Sequence, residues 1–147
     1  MKRKGKTKKE VLSHNDDIIC LKVSQNREIV ITGQVGHKPW VFLWDSTTAE
    51  LNQKIELPGG SWGVTACCIS PKARYCAVVD HSDDHHLYII KFTSNKKSII
   101  NKIKTGGNKI MDIEWFEKDD KHTIGIVGVK TAKFLHFSDD DIKSDKL

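Results

Sequence analysis

No stretch of this 147-residue chain approaches the ~18 consecutive apolar residues that a membrane-spanning helix requires. Nor does an apolar core follow the basic start at the amino terminus, so neither a transmembrane helix nor a secretory signal is expected, and no membrane partner. Among the four cysteines, Cys20, Cys67, Cys68 and Cys76, there is no Cys-x-x-Cys pair at metal spacing and no regular disulfide framework. Thiols placed inside apolar runs in this way suit a reducing, cytoplasmic compartment, where they pack as small hydrophobes. The sequence also lacks a phosphate-binding Gly-x-x-x-x-Gly-Lys-Ser loop, a Gly-x-Ser-x-Gly nucleophile elbow and a His-Glu-x-x-His helix. No enzyme activity, cofactor or metal is expected. Helical periodicity is missing as well, which leaves an all-β reading.

What the chain does have is self-similarity. Ile18, Val64 and Ile110 open three like stretches, 46 residues apart. In each, alternate residues share a face: Ile19, Leu21 and Val23; then Thr65, Cys67 and Ile69; then Met111, Ile113 and Trp115. Further strand-like runs follow at 28–33, 40–44 and 51–57, at 75–79, 87–92 and 99–103, and at 123–129 and 131–137. The third unit lacks a fourth run. Gly59-Gly60 and Gly106-Gly107 stand just ahead of the second and third units, where the chain must turn between sheets. A repeat of ~40 to 45 residues with four short strands, carrying one Trp-Asp dipeptide at Trp44-Asp45, is the mark of a β-propeller blade. The expected organisation is a basic arm at 1–12, blades at 13–58, 59–105 and an incomplete 106–137, and an acidic tail at 138–147.

The net charge of +5 is unevenly placed. Lys2, Arg3, Lys4, Lys6, Lys8 and Lys9 precede any acid, whereas Asp139, Asp140, Asp141 and Asp145 gather at the other end. A block of like charges repels itself and buries too little apolar area to offset ordering, so both ends are expected to be mobile. Such an arm is attracted to acidic surfaces: nucleic acid, anionic lipid or the glutamate-rich tails of tubulin.

One dense cluster, His81-Ser82-Asp83-Asp84-His85-His86, contains residues that can ligate a divalent cation. Adjacent residues cannot all aim at one ion unless the loop wraps it, and the position between two strands of a blade predicts a polar hairpin loop without metal. The loop is the reading adopted.

Three segments resemble the opening blades of the first propeller in the echinoderm microtubule-associated protein-like family. They are Ile31-Thr32-Gly33-Gln34-Val35-Gly36, Val41-Phe42-Leu43-Trp44-Asp45-Ser46 and the run from Val78 through Asp80-His81-Ser82-Asp83-Asp84-His85-His86 to Leu87. A fourth, Gly128 to Phe134, is similar to a Gly-x-x-x-x-x-Phe stretch in the third blade, and the likeness covers roughly 13–137. It implies a non-catalytic WD-repeat scaffold with tubulin, microtubule or axonemal partners, in the cytoskeleton or cilium. Coiled-coil heptads and the hydrophobic motif that precede the family's first propeller have no counterpart here, and the chain holds three units where the family has many more. WD repeats tie a His, a Ser or Thr, a turn Asp and a Trp into a structural hydrogen-bond network. His14, Thr32 and Trp44 match three of those roles, Asp45 is a turn residue, and the turn Asp is absent from 34–39.

Three blades cannot close a ring, because propellers protect their sheet edges by completing four to eight. The expectation is therefore a piece of a longer protein, or else a second copy that completes the circle. Function divides in two: a cytoskeletal scaffold whose basic arm supplies electrostatic attraction, or a nuclear or nucleic-acid-associated adaptor in which the arm clamps phosphates. Nothing like an aromatic-interleaved stacking surface supports the second, so nucleic acid ranks below protein as a partner.

Overall fold

The computed structural model describes residues 14–92, 99–144 and 147. The basic arm and its six cations lie outside the described residues. Each repeat forms its own antiparallel meander. The first sheet contains β1 (Ile18–Val23), β2 (Ile29–Gln34), β3 (Trp40–Asp45) and β4 (Leu51–Glu56). The second contains β5 (Val64–Ile69), β6 (Tyr75–Asp80), β7 (His86–Lys91) and β8 (Ile99–Lys104). The third has three strands, β9 (Ile110–Lys118), β10 (Lys121–Gly128) and β11 (Thr131–Ser138). These are WD-repeat propeller blades in an open arc.

The 46-residue period reaches below the level of strands, into their irregularities. A break in register occurs between Ile18 and Cys20 of β1 and again between Val64 and Ala66 of β5, and the corresponding break in the third sheet lies where Gly128 meets Ile110. Bulges of this kind bend and twist a strand at a chosen point, so repeating them repeats the curvature of each blade. Gly128 is required there, since a Cβ on it would stand 2.1 Å from the Lys109 carbonyl oxygen. The first hairpins are also copies. Ser24 Oγ accepts from the Glu28 and Ile29 amides at 3.2 and 3.0 Å, and Ser70 Oγ accepts from Arg74 and Tyr75 at the same distances. In the third unit this turn becomes a two-residue hairpin in which Asp119 and Asp120 both take positive φ, 51° and 58°, the geometry that matches the strand twist.

Burial explains why the middle unit is so apolar. One face of the second sheet, with Cys67, Ile69, Cys76, Val78, Tyr88 and Ile90, packs on Ile31, Val41, Leu43, Ile55 and Leu57 of the first. Its other face, with Ala66, Cys68, Ala77, Val79, Leu87 and Ile89, packs on Ile113, Trp115, Ile124 and Ile126 of the third. A sheet covered on both sides needs no polar alternation, and all six residues of β6 are buried.

The all-β reading holds, with one short element added that periodicity did not reveal. The acidic end, read as a mobile tail without helix, contains a five-residue helix, α1 (Asp139–Lys143). Ser138 caps it in a reciprocal box with Asp141, the three aspartates sit in its first turn where the helix dipole favours negative charge, and Lys143 sits in its last. Ile142 is buried against the core of the second and third sheets. Among the described residues no helix is long and apolar enough to cross a membrane.

Candidate protein-interaction surface

His14, Thr32 and Trp44 meet on the outward face of the first sheet. Trp44 Nε1 donates to Thr32 Oγ1 at 2.8 Å, and the Thr32 hydroxyl lies 2.7 Å from His14 Nε2. The other ring nitrogen, Nδ1, is 2.7 Å from Gln34 Oε1, and the Gln34 amide nitrogen in turn donates to Asn15 Oδ1 at 2.7 Å. For a neutral imidazole only one proton arrangement serves every bond. An indole N–H can only donate and an amide oxygen can only accept, so Nδ1 carries the imidazole proton and Nε2 accepts from the threonine. Burial holds the His14 pKa below the ordinary histidine value, with Lys54 acting in the same direction and the Gln34 bond opposing both. A neutral, fully engaged imidazole is a structural clasp.

Gln34 takes the place that the sequence reading left empty when it looked for a turn aspartate. Its position one strand-end before the turn, 46 residues ahead of Asp80, was the available signal. Asp45 stands apart from the clasp. Its carboxylate accepts from the Thr48 and Thr47 amides, both at 2.8 Å, and these bonds lower its pKa.

The loop cluster of the second unit is organised around Asp80, 1% exposed. Asp80 Oδ1 accepts from Ser82 Oγ at 2.6 Å and from the His86 amide at 2.8 Å, while Oδ2 accepts from the Tyr88 hydroxyl at 3.0 Å. His81 and His85 stack with ring centroids 5.8 Å apart, and among the described residues no three His, Cys, Asp or Glu side chains gather as a metal site. The sequence reading missed a third network. Buried His122 accepts from Trp115 Nε1 at 3.1 Å on Nδ1 and reaches Asp139 Oδ1 at 2.7 Å through Nε2. Arg74 of the second sheet joins this network across the joint, binding Glu117 at 2.9 Å and Asp139 at 3.4 Å. The His122 bond, with Arg74 behind it, pulls the Asp139 pKa down.

Three open surfaces stand out among the described residues. Beside the His14 clasp, a mostly apolar cleft of about 320 Å³ is lined by Ile18, Leu21, Val30 and Trp44 among others. At the mouth of the arc's axis, Ile19, Val35, Thr65, His81, Lys109 and Met111 line a second cleft of about 350 Å³. Trp62, 62% exposed, stands at this mouth, where the Gly36 amide donates to its carbonyl oxygen at 2.9 Å and its ring lies 5.3 Å from that of His37. The third lies at the β9–β10 hairpin around Phe116 and Lys121. None of the three joins a nucleophile to a base and an anion-stabilising group. What they offer is rigid relief edged with aromatic and basic side chains.

This architecture defines a class, the WD-repeat β-propeller. The β-propeller domain of Cps50 (Swd1) from Myceliophteria thermophila superposes with a TM-score of 0.58 at 14% identity, covering 90% of this chain and 44% of that one. No family model matches the chain. In sequence the chain is 32% identical over 133 residues to a ciliary WD repeat-containing protein, ctxp80, of Euplotoides octocarinatus, a match covering 90% of this chain and 18% of that protein. It is 29% identical over 144 residues to echinoderm microtubule-associated protein-like 4 of Xenopus laevis, covering 90% and 15% respectively. The chain thus spans less than a fifth of the length of these relatives.

Proposed function

We propose that this chain is a non-catalytic WD-repeat interaction module of an echinoderm microtubule-associated protein-like type, binding tubulin or axonemal partners in the cytoskeleton or cilium. The observation that carries this reading is sequence similarity along nine-tenths of the chain to proteins named for cilia and microtubules. The blades supply a rigid frame, and solved WD-repeat propellers of this fold serve mainly as platforms for other proteins. Trp62, His37 and Lys109 at the axial mouth provide an aromatic and basic contact surface, a residue combination enriched where proteins meet. Lys2, Arg3, Lys4, Lys6, Lys8 and Lys9 add electrostatic attraction to acidic tubulin tails. Co-sedimentation of the full chain with microtubules tests the reading. Pelleting is expected, and it should weaken when the acidic tails are removed, when the six cations are replaced by Gln, and in Trp62→Ala. No pelleting, with retention of duplex or single-stranded oligonucleotides in a gel shift, would give the reading to the nucleic-acid adaptor instead.

A further inference from the structure

The first two sheets have four strands and the third has three, and the rows of cross-strand partners show what the third would accept. One row runs Leu21, Thr32, Phe42, Lys54 across the first sheet and Cys67, Val78, Tyr88, Lys102 across the second. In the third it runs Ile113, Ile126, Lys133 and stops at the outer edge of β11. The neighbouring rows end in Gln53 and Asn101, opposite Leu43 and Ile89, and in Ile55 and Ile103, opposite Val41 and Leu87. Their open ends in the third sheet are Phe134 and Ala132. Thus β4 and β8 share a pattern of amide, lysine and isoleucine, and each lysine rests over an aromatic ring of the strand beside it. Lys54 Nζ lies 5.6 Å from the centre of the Phe42 ring, and Lys102 Nζ lies 5.7 Å from that of Tyr88. In β11 the ring gives way to Lys133. Its ammonium donates to the Thr105 carbonyl oxygen and, among the described residues, has no carboxylate partner, so donors are left over.

The edge itself is unguarded. The outer strands β4 and β8 carry Lys54 and Glu56, and Lys102 and Lys104, charges of the kind that blunt pairing with another chain. β11 is eight residues long, Phe134 on it is 68% exposed, and after Ser138 the chain turns into α1 and not into a fourth strand. We propose that the outer edge of β11 is a docking site for an extended segment of a partner protein, added antiparallel as a fourth strand, with an amide opposite Phe134, a carboxylate opposite Lys133 and a branched aliphatic residue opposite Ala132. Main-chain hydrogen bonds hold such a strand, and alternate side chains select it. The carboxylate pairs with the Lys133 ammonium. A lysine like those of β4 and β8 would instead set two cations against each other, which is destabilising directly across a strand pair. The site therefore rejects the chain's own fourth-strand pattern and takes an acidic one. Ala132, where the other sheets have Val41 and Leu87, leaves room for the aliphatic side chain beside Val127, which is exposed. Because β9 lies against β5 and β11 is the far strand of its sheet, this edge is separate from the axial mouth and does not depend on what binds there.

The test is a titration of the full chain with three end-blocked hexapeptides, followed by NMR of its backbone amides. The first peptide is the β4 sequence, Leu-Asn-Gln-Lys-Ile-Glu, and the second, Leu-Asn-Gln-Glu-Ile-Glu, puts glutamate at the lysine position. The third, Leu-Asn-Glu-Gln-Ile-Glu, is an isomer of the second whose extra acid falls on the other face of the strand. The second peptide should bind about fivefold more tightly than either of the others and slow the exchange of alternate amides between Thr131 and Leu135. Lys133→Glu should reverse the order, favouring the lysine peptide by a similar factor. Should Lys133→Glu fail to fold, the two isomeric acidic peptides on the unmutated chain decide alone. Equal binding of all three peptides, or no slowing of β11 amides with any of them, would overturn the proposal. So would β11 amides already slow in the free chain, since the basic arm or a second copy would then fill the edge.

Discussion

Replacing Gly33 by Ala adds a single methyl at the joint between the first two blades, and the structure sets the size of the penalty. The new Cβ would lie 2.6 Å from Val64 Cγ1, 2.7 Å from Val64 Cβ and 2.7 Å from Cys20 Sγ. A rotamer change can move Cγ1 and Sγ but not the Val64 Cβ, which is fixed to the backbone of β5. Relief therefore needs β2 and β5 to separate by several tenths of an ångström, along a seam where Ile31, Val41, Val64, Cys67 and Val78 are all fully buried. Overpacking of this kind costs about 1–3 kcal/mol, and the backbone-fixed contact places the expected loss in the upper half of that range. Gly107→Ala is the control, because a Cβ there meets nothing within 4 Å. It should change stability by no more than about 0.5 kcal/mol. Urea unfolding followed by tryptophan fluorescence measures both. Val64→Ala in the Gly33→Ala background should recover only part of the loss, since the Val64 Cβ remains in place. A Gly33→Ala protein as stable as Gly107→Ala would refute the claim that the two sheets meet at this point without spare room.

The His14 clasp gives a second test. Thr32→Val removes the hydroxyl that serves both Trp44 and His14, and the loss of these two half-buried hydrogen bonds should cost about 1 kcal/mol in urea unfolding. The clasp also dictates a pH response. With the folded pKa of His14 below its unfolded value, the unfolded chain binds the proton first, so this contribution is complete above pH ~6.5 and fades as pH falls through that value. Asp139, lowered by His122 and Arg74, adds a second, more acidic window: its contribution is present above pH ~3.9 and is lost as pH falls through the folded value. A stability profile from pH 8 to 3 should show both declines, with His14→Phe suppressing the first alone. Arg74→Met withdraws one cation from Glu117, whose side chain is 3% exposed, leaves Lys72 at 3.0 Å as its remaining cation, and should cost about 1–3 kcal/mol.

Strands were legible in the sequence because their signal is local. The expected runs at 40–44, 51–57 and 75–79 fall on β3, β4 and β6 to within a residue or two, since alternation and β-branched residues are read one strand at a time. What escaped notice depends on partners distant in sequence. Trp115, His122 and Asp139 come together only because β9 and β10 form a hairpin and α1 folds back beside them, and no spacing rule connects them in advance. Gln34 was overlooked for a different reason. An amide oxygen serves a histidine N–H as well as a carboxylate does, so a search confined to aspartate passes over it. The helix at Asp139–Lys143 had a readable sign in its Ser138-x-x-Asp141 cap, but a five-residue element is too short to show periodicity.

The repeat also clarifies which surfaces are built to meet something. Leu21 and Val23 on β1, Cys67 and Ile69 on β5, and Ile113 and Trp115 on β9 are equivalent positions at the 46-residue period. In the second and third sheets they are buried against the preceding sheet. In the first, Leu21 and Val23 are 58% and 50% exposed, and Leu21 borders the cleft that contains Trp44. At the other end, strand pairing places Phe116, Val127 and Phe134 on the outward face of the third sheet, 56%, 49% and 68% exposed, with Asp112 and Glu114 beside them. Each apolar side chain carried from water into a contact contributes about 25 cal/mol per Å². Among the described residues, the two end faces are thus the same kind of surface that joins the blades internally, with no further sheet packed on them. Their chemistry differs, one apolar and aromatic, the other mixing phenylalanines with carboxylates. The axial mouth with Trp62 and Lys109 belongs to neither. A partner bound at the mouth therefore leaves both end faces available to further sheets, which is how a blade array can be a structural frame and a docking surface at once.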